Sequence, residues 1–217
     1  MHNFELRRDR FEIFNSFDNP LINLSFDLEV PDFRPWCKAQ NLPPFHVFLY
    51  CVLHSIQAID NFMYRILDGE VIRIDSVFAS YTVLNGDNNL NFARFDMSDD
   101  LGEFVARSLQ AKAVAEAATQ LINTGREQSA LDQRRHVHVT CIPWLQLTAI
   151  EHPVYRHKTA DIPSLAWGRF SAAKEGMMTV PFSVQAHHGF VDGYHIHLLG
   201  QAVAQRMRGL MERKSAQ

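Results

Sequence analysis

"VPFSVQAHHGFVDGYHIHLL", residues 180–199, passes from β-type residues to a helical pattern within twenty positions. The run through Ala186 reads as a core strand, Asp192 and Gly193 shape a turn, and the residues beyond read as a helix. His187 and His188 therefore stand where a strand ends, with Asp192 at or near the start of the last helix. A neutral imidazole near its ordinary pKa of about 6.5 can take a proton from a hydroxyl at physiological pH. The chain also carries 11 histidines, so an adjacent pair can arise by chance. The residues of this stretch alone leave both readings open.

Outward from this point, strands and helices are interspersed. "SLAWGRFSA" and "MMTVPFSVQAHH" read as two strands around the turn "AKEG". "INLSFDLEV", residues 22–30, alternates strictly, as a half-buried strand does. Pro43 and Pro44 open a buried helix over about 44–59. Asp68-Gly69 marks a hairpin, and further strands cover 77–84 and "NLNFARF". "SDD" at 98–100 caps a helix running to about Ile122, and "NTGREQS" is a loop. The alternation of "RHVHVTCIPWLQLTAI" predicts a strand from about His136 to Ile150, followed by a loop rich in Pro and charge. The expected fold class is α/β, a mixed sheet with packed helices in a single domain over 1–217.

Composition narrows the function classes. The 217 residues carry a formal charge of -3, against the basic surplus of a nucleic-acid binder. Hydrophobic residues make up 47%, as in an ordinary globular protein, and the 16 Phe suit a core or pocket with large apolar walls. Cys37, Cys51 and Cys141 are odd in number and far apart, indicating neither a disulfide framework nor a zinc knuckle. No signal-like h-region opens the sequence, and "FHVFLYCVLHSI" is too short to span a bilayer. A cytoplasmic protein without membrane or nucleic-acid partners is expected. For a metal, His136 and His138 share a side of a strand, but His195 and His197 point about 200° apart on a helix. No HExxH or Cys-rich spacing appears, so no metal site is expected.

The motif "HHGFVDGYH" is similar to the His-His-x-x-x-Asp-Gly signature of the chloramphenicol acetyltransferase family. "LRRDRFEIF" resembles that family's N-terminal Arg-x-x-x-Phe segment, and "DGEVIRIDSVFASYTV" its Asp-Gly-Glu hairpin with the Asp-Ser-Val and Thr-Val that follow. "PWLQLTAI", "GRF" and "VPFSVQAHH" resemble its Pro-Trp segment, its Gly-Lys-Tyr strand and the strand into the histidines. Order and spacing agree from about residue 4 to 212. The resemblance implies that family's CoA-dependent acyltransferase fold and a homotrimer with sites at subunit interfaces. It makes His188 the general base, which deprotonates a primary hydroxyl for attack on acetyl-CoA, a co-substrate rather than a bound cofactor. It also pairs Asp192 with Arg7 in a structural ion pair; read from the residues alone, Asp192 is equally a helix N-cap.

Departures from the pattern bear on the same positions. Counting seven from Pro143, the resemblance sets Ala149 where an oxyanion-binding serine is expected; Thr148, one step earlier, is the candidate oxyanion donor if the register shifts by one. Ala166 stands where a Thr is expected, and Arg169 where a Lys faces CoA phosphate. Ile13 and Phe14 occupy the aromatic positions of the acceptor pocket, without a phenol. Two functional readings follow. The first is an O-acetyltransferase acting on chloramphenicol or a related small alcohol. The second is a weak or inactive trimeric homologue that binds its ligand, suggested by Ala149 and Ala166. A dihydrolipoyl acyltransferase core shares the fold but calls for lipoyl and linker segments upstream. Condensation domains carry a related motif but need about twice this length.

Overall fold

The computed structural model describes residues 2–123, 127–154 and 160–213, so parts of the loops expected around 124–126 and 155–159 lie outside the described residues. Two short helices, α1 (His2–Glu5) and α2 (Arg8–Asn15), precede strand β1 (Leu21–Pro31). Helices α3 (Arg34–Ala39) and α4 (Pro44–Gln57) follow, then the hairpin β2 (Tyr64–Leu67) and β3 (Glu70–Arg73). Next come β4 (Phe78–Leu84), β5 (Leu90–Asp96), α5 (Leu101–Ala117), α6 (Ala130–Arg134) and β6 (His136–Cys141). Strands β7 (Ser164–Trp167) and β8 (Met177–His187) lead to the long helix α7 (Gly193–Arg213).

Six strands form one mixed sheet in the order β1-β8-β7-β6-β4-β5, and β2 and β3 pair separately. Strand β6 runs parallel to β4 and β7, while the other pairs are antiparallel. The alternation of β1 is explained by its register: Leu24, Phe26 and Leu28 lie opposite Val184, Phe182 and Val180. That face packs against helices, with Phe48 of α4 edge-on to Trp167 at 5.0 Å and Gly200 of α7 facing Phe26 and Leu28. Helix α4 is apolar on nearly every side because it is buried along most of its length. The β2–β3 turn uses Asp68 (φ 52°) and Gly69 (φ 85°), the left-handed pair that a two-residue hairpin requires.

Three expectations need correction. Strand β6 ends at Cys141, not Ile150. Ile142 N–H still reaches Trp167 O at 2.9 Å, but Pro143 has no N–H, and Leu145 N–H turns back to Ile142 O at 3.1 Å. The apolar alternation beyond that point belongs to a loop, and Leu145 is exposed. Helix α5 starts as expected, with the Asp100 carboxylate accepting from Glu103 N–H, but it stops at Ala117. The Asn91 amide donates to the carbonyls of Ala115 and Ala118 at 2.8 and 2.7 Å, and Phe92 N–H then bonds Leu121 O at 3.1 Å, drawing the chain along β5. Strand β7 is only four residues long, although "SLAWGRFSA" suggested more.

The other sheet face is polar. Cross-strand register sets Ser80, His138, Ser164, Gln185 and Asn23 in one row. Two residues along, Thr140, Ala166, Ser183 and Ser25 form the next row. Strand pairs of this kind put directly opposed side chains on the same face. The loop after β6 folds back over these rows, held by Asn23 Nδ2 on Ile150 O (2.7 Å) and by the Gln185 amide, which bonds both the N–H and the carbonyl of His152 (3.1 and 3.2 Å).

Candidate active site

Strand β8 delivers the two histidines to a tight turn. His188 N–H donates to Pro20 O at 2.7 Å, and Phe190 and Val191 N–H both close on His187 O at 3.0 and 2.9 Å. The His187 ring is buried between Phe11 and Phe190 at 5.6 and 5.0 Å, and its Nδ1 accepts from Gly189 N–H at 3.1 Å. Its other nitrogen faces Asn15 Oδ1 at 3.3 Å. Burial, then the neighbouring His188, pushes the His187 pKa down to about 4, so at neutral pH it is an uncharged packing residue. Gly189 is required by space: a Cβ there would lie 2.9 Å from Phe11 Cα and 3.0 Å from the His187 ring.

His188 differs from its neighbour. It is half-buried, and the Phe14 ring stacks on it at 3.9 Å with 24° between planes. Its Nδ1 donates to Val191 O at 3.1 Å. A carbonyl only accepts, so Nδ1 carries the proton and Nε2 presents a lone pair, free among the described residues. The turn that holds this ring is clasped from outside. Arg7 reaches Asp192 Oδ2 at 3.0 Å and Gly189 O at 3.3 Å. Burial raises the Asp192 pKa, but the Arg7 hydrogen bond, His195 and the Arg7 charge outweigh it and hold the carboxyl below its ordinary value. Asp192 also caps α7, accepting from Tyr194 N–H at 3.0 Å. Ion pair and cap coexist on the same carboxylate.

The remaining sequence candidates lie elsewhere. Thr148 lines a groove of about 360 Å³ with Ser25, Ser183, Gln146, Leu147 and Ile150. Ala149 is exposed on the loop and Ile13 on α2. Ala166 is wholly buried on β7, between Thr140 and Ser183 in its row. Arg169 is exposed, and its guanidinium bonds the carbonyls of Pro143 and Trp144, tying the loop to β7. Sequence reasoning missed Thr140. Ser25 donates to Ser183 and Ser183 to Asn23, whereas the Thr140 hydroxyl makes no hydrogen bond among the described residues. The signal was the polar residue at every second position of "HVHVT", which only pairing with Ala166 makes meaningful.

Base and groove are separate within one chain. Ser183 lies five residues before His188, roughly 16 Å along an extended strand, far beyond hydrogen-bond reach.

Residues 2–202 match the family model for chloramphenicol acetyltransferase. A chloramphenicol acetyltransferase of Bacillus pumilus is 24% identical over 212 residues, covering 95% of this chain and 90% of that one. Among solved structures, a chloramphenicol acetyltransferase superposes with a TM-score of 0.81 at 25% identity, covering 92% of this chain and 94% of that one. The dihydrolipoamide acetyltransferase of Azotobacter vinelandii shares the fold, with a TM-score of 0.65 at 12% identity, covering 94% of this chain and 87% of that one. With a polar sheet face, a clasped His-His turn and a match over nearly its whole length, the chain is an acyltransferase of the chloramphenicol acetyltransferase family.

Proposed function

We propose that the chain moves the acetyl group of acetyl-CoA to a hydroxyl of chloramphenicol or a related small alcohol, with His188 as general base. The observation that carries this is the His188 tautomer: Nδ1–H is committed to Val191 O, and Nε2 is left bare. Nε2 takes the proton of the acceptor hydroxyl as its oxygen attacks the thioester carbonyl. The tetrahedral oxyanion then collapses, the C–S bond breaks, and the imidazolium returns the proton to the departing thiolate. The products are the acetyl ester and free CoA thiol. Arg7 and Asp192 act as positioning residues, and Phe14 restricts the ring to one plane.

Register supports Thr140 as the oxyanion donor: its uncommitted hydroxyl is on a rigid strand beside Ala166, whereas Thr148 is on an exposed loop. The separation of base and groove supports a homotrimer in which His188 of one subunit serves the sheet face of the next. Arg169, tied to the loop carbonyls, shapes the groove wall and remains a candidate for CoA phosphate. The weak or inactive reading rests on Ala166, which removes one hydroxyl from the row.

Release of CoA thiol from acetyl-CoA across a panel of alcohols, chloramphenicol included, tests the proposal. His188→Ala should abolish release while leaving the assembly intact, and His187→Ala should act through stability. Equal rates in wild type and His188→Ala would exclude His188 as the base. No release with any alcohol would favour the inactive homologue.

A further inference from the structure

The carbonyl that fixes the His188 tautomer is itself held from behind. Val191 O accepts from His188 Nδ1–H at 3.1 Å, and it belongs to the same peptide group as Asp192 N–H. In a trans peptide the C=O and the N–H point in opposite directions. On the far side, Asp192 N–H donates to His195 Nδ1 at 3.2 Å. Two imidazoles are therefore joined through one amide: His188 Nδ1–H to Val191 O, and Asp192 N–H to His195 Nδ1.

Local helix chemistry explains why His195 stands there. Helix α7 begins at Gly193, so Asp192 is its N-cap and His195 its third residue. The Asp192 carboxylate accepts from Tyr194 N–H, and the His195 ring reaches back to the Asp192 N–H. This is the reciprocal capping arrangement, with an imidazole where Glu or Gln usually sits. A Glu at this position would bring a second negative charge against Asp192, whose Oδ1 lies 2.8 Å from His195 Nδ1. A neutral imidazole caps without that repulsion. Burial, opposed by the Asp192 charge and aided by that of Arg7, holds the His195 pKa below its ordinary value, so at neutral pH the ring carries one proton. While Nδ1 accepts from the amide, that proton is on Nε2. The opposite tautomer would turn its Nδ1–H to Asp192 Oδ1 and release the amide.

Hydrogen bonds in series polarise one another. An amide whose N–H is engaged has a more negative oxygen, and its plane is fixed at both ends. Val191 O thus becomes a better and steadier acceptor for His188 Nδ1–H. Without that anchor the His188 ring is free to move its proton to Nε2, and an Nε2–H cannot accept one from a substrate hydroxyl. We propose that His195 is a positioning residue for acyl transfer: through the Val191–Asp192 amide it keeps His188 in the tautomer and orientation that leave Nε2 bare. This rests on the reading of His188 as general base and adds a residue that touches neither substrate.

The test compares wild type, His195→Leu and His195→Asn, with thermal melts as the control for folding. Leu removes the acceptor, whereas the Asn side-chain oxygen takes the place of Nδ1. Nitrogen-15 NMR of the histidine rings reads the tautomers, and thiol release from acetyl-CoA with chloramphenicol reads turnover. Wild type should carry the His188 proton on Nδ1 and the His195 proton on Nε2. His195→Leu should mix the His188 tautomers and lower kcat about tenfold with KM little changed, and His195→Asn should restore one tautomer and most of the rate. A wild-type His195 protonated on Nδ1 overturns the proposal, as does a His188 that keeps its Nδ1 proton in His195→Leu. A rate loss that His195→Asn shares in full also overturns it. Should His195→Leu fail to fold, the wild-type spectrum and His195→Asn decide. If chloramphenicol is not acetylated, the acyl-transfer reading fails separately, and the ring spectra alone decide whether His195 sets the tautomer of His188.

Discussion

At the scale of single residues, the choice between Thr140 and the Thr148–Ala149 pair turns on where β6 stops. A hydroxyl on a paired strand is fixed by its ladder bonds, whereas one on an exposed loop has no such restraint. Thr140→Val should therefore cost on the order of 10²–10³ in kcat while leaving KM little changed, because an oxyanion contact forms in the transition state. Ala149→Ser, on the loop surface, should change turnover little. Steady-state thiol release for both variants checks this. A rate gain in Ala149→Ser with Thr140→Val fully active would return the donor role to the loop. His188 illustrates the same logic, since its Val191 contact selects the tautomer with Nε2 bare.

At the scale of elements, the turn after β8 is the most tightly specified piece. Phe11 of α2, the His187 ring and Gly189 meet there with no space for another carbon. Gly189→Ala should destabilise the fold by about 1–3 kcal/mol, the usual range for overpacking, seen as a lower denaturant midpoint. Activity should fall with it, because α2 carries the Phe14 that lies on His188. An unchanged midpoint with full activity would mean that α2 can move aside freely. Helix α2 itself has no fully buried residue, and its docking depends on Phe11 and the Arg7 clasp rather than on an apolar face.

At the scale of the whole molecule, the proposal that His188 serves the groove of a neighbouring subunit predicts that activity depends on the assembly. Light scattering should report a trimer at micromolar concentration, and dilution below its dissociation range should lower specific activity. A stable, active monomer would contradict this. Acid should unfold the chain early. His46, His138 and His187 are depressed to about 4 and His136 to about 3, in each case mainly by burial. Above pH about 6.5 both states leave these rings neutral, and they add no slope. As pH falls below that, the unfolded chain binds protons that the folded chain refuses, so stability drops between about 6.5 and 4. Each ring contributes at most about 1.4 kcal/mol per pH unit. Thermal melts across that range check the direction; a flat profile would place these rings in water.

How much was legible from residues differs from one element to the next. The periodicity of 22–30, the prolines before α4, the Asp68-Gly69 turn and the His-His-x-x-x-Asp-Gly order were enough to place β1, α4, the β2–β3 hairpin and His188 at the end of β8, because each signal is local. The pairing of Arg7 with Asp192, across 185 positions of chain, was implied by the family resemblance alone, since the residues by themselves left Asp192 equally a helix N-cap. Other features were not local. The end of β6 depended on Pro143 meeting the edge of β7, and the end of α5 on Asn91 reaching its last carbonyls. The row joining Thr140, Ala166, Ser183 and Ser25, and the histidines gathered around Ser80, exist only through cross-strand register. Sequence determined which residues form the turn after β8. Tertiary pairing alone decided which polar residues share a face, because that depends on strands brought together from distant parts of the chain.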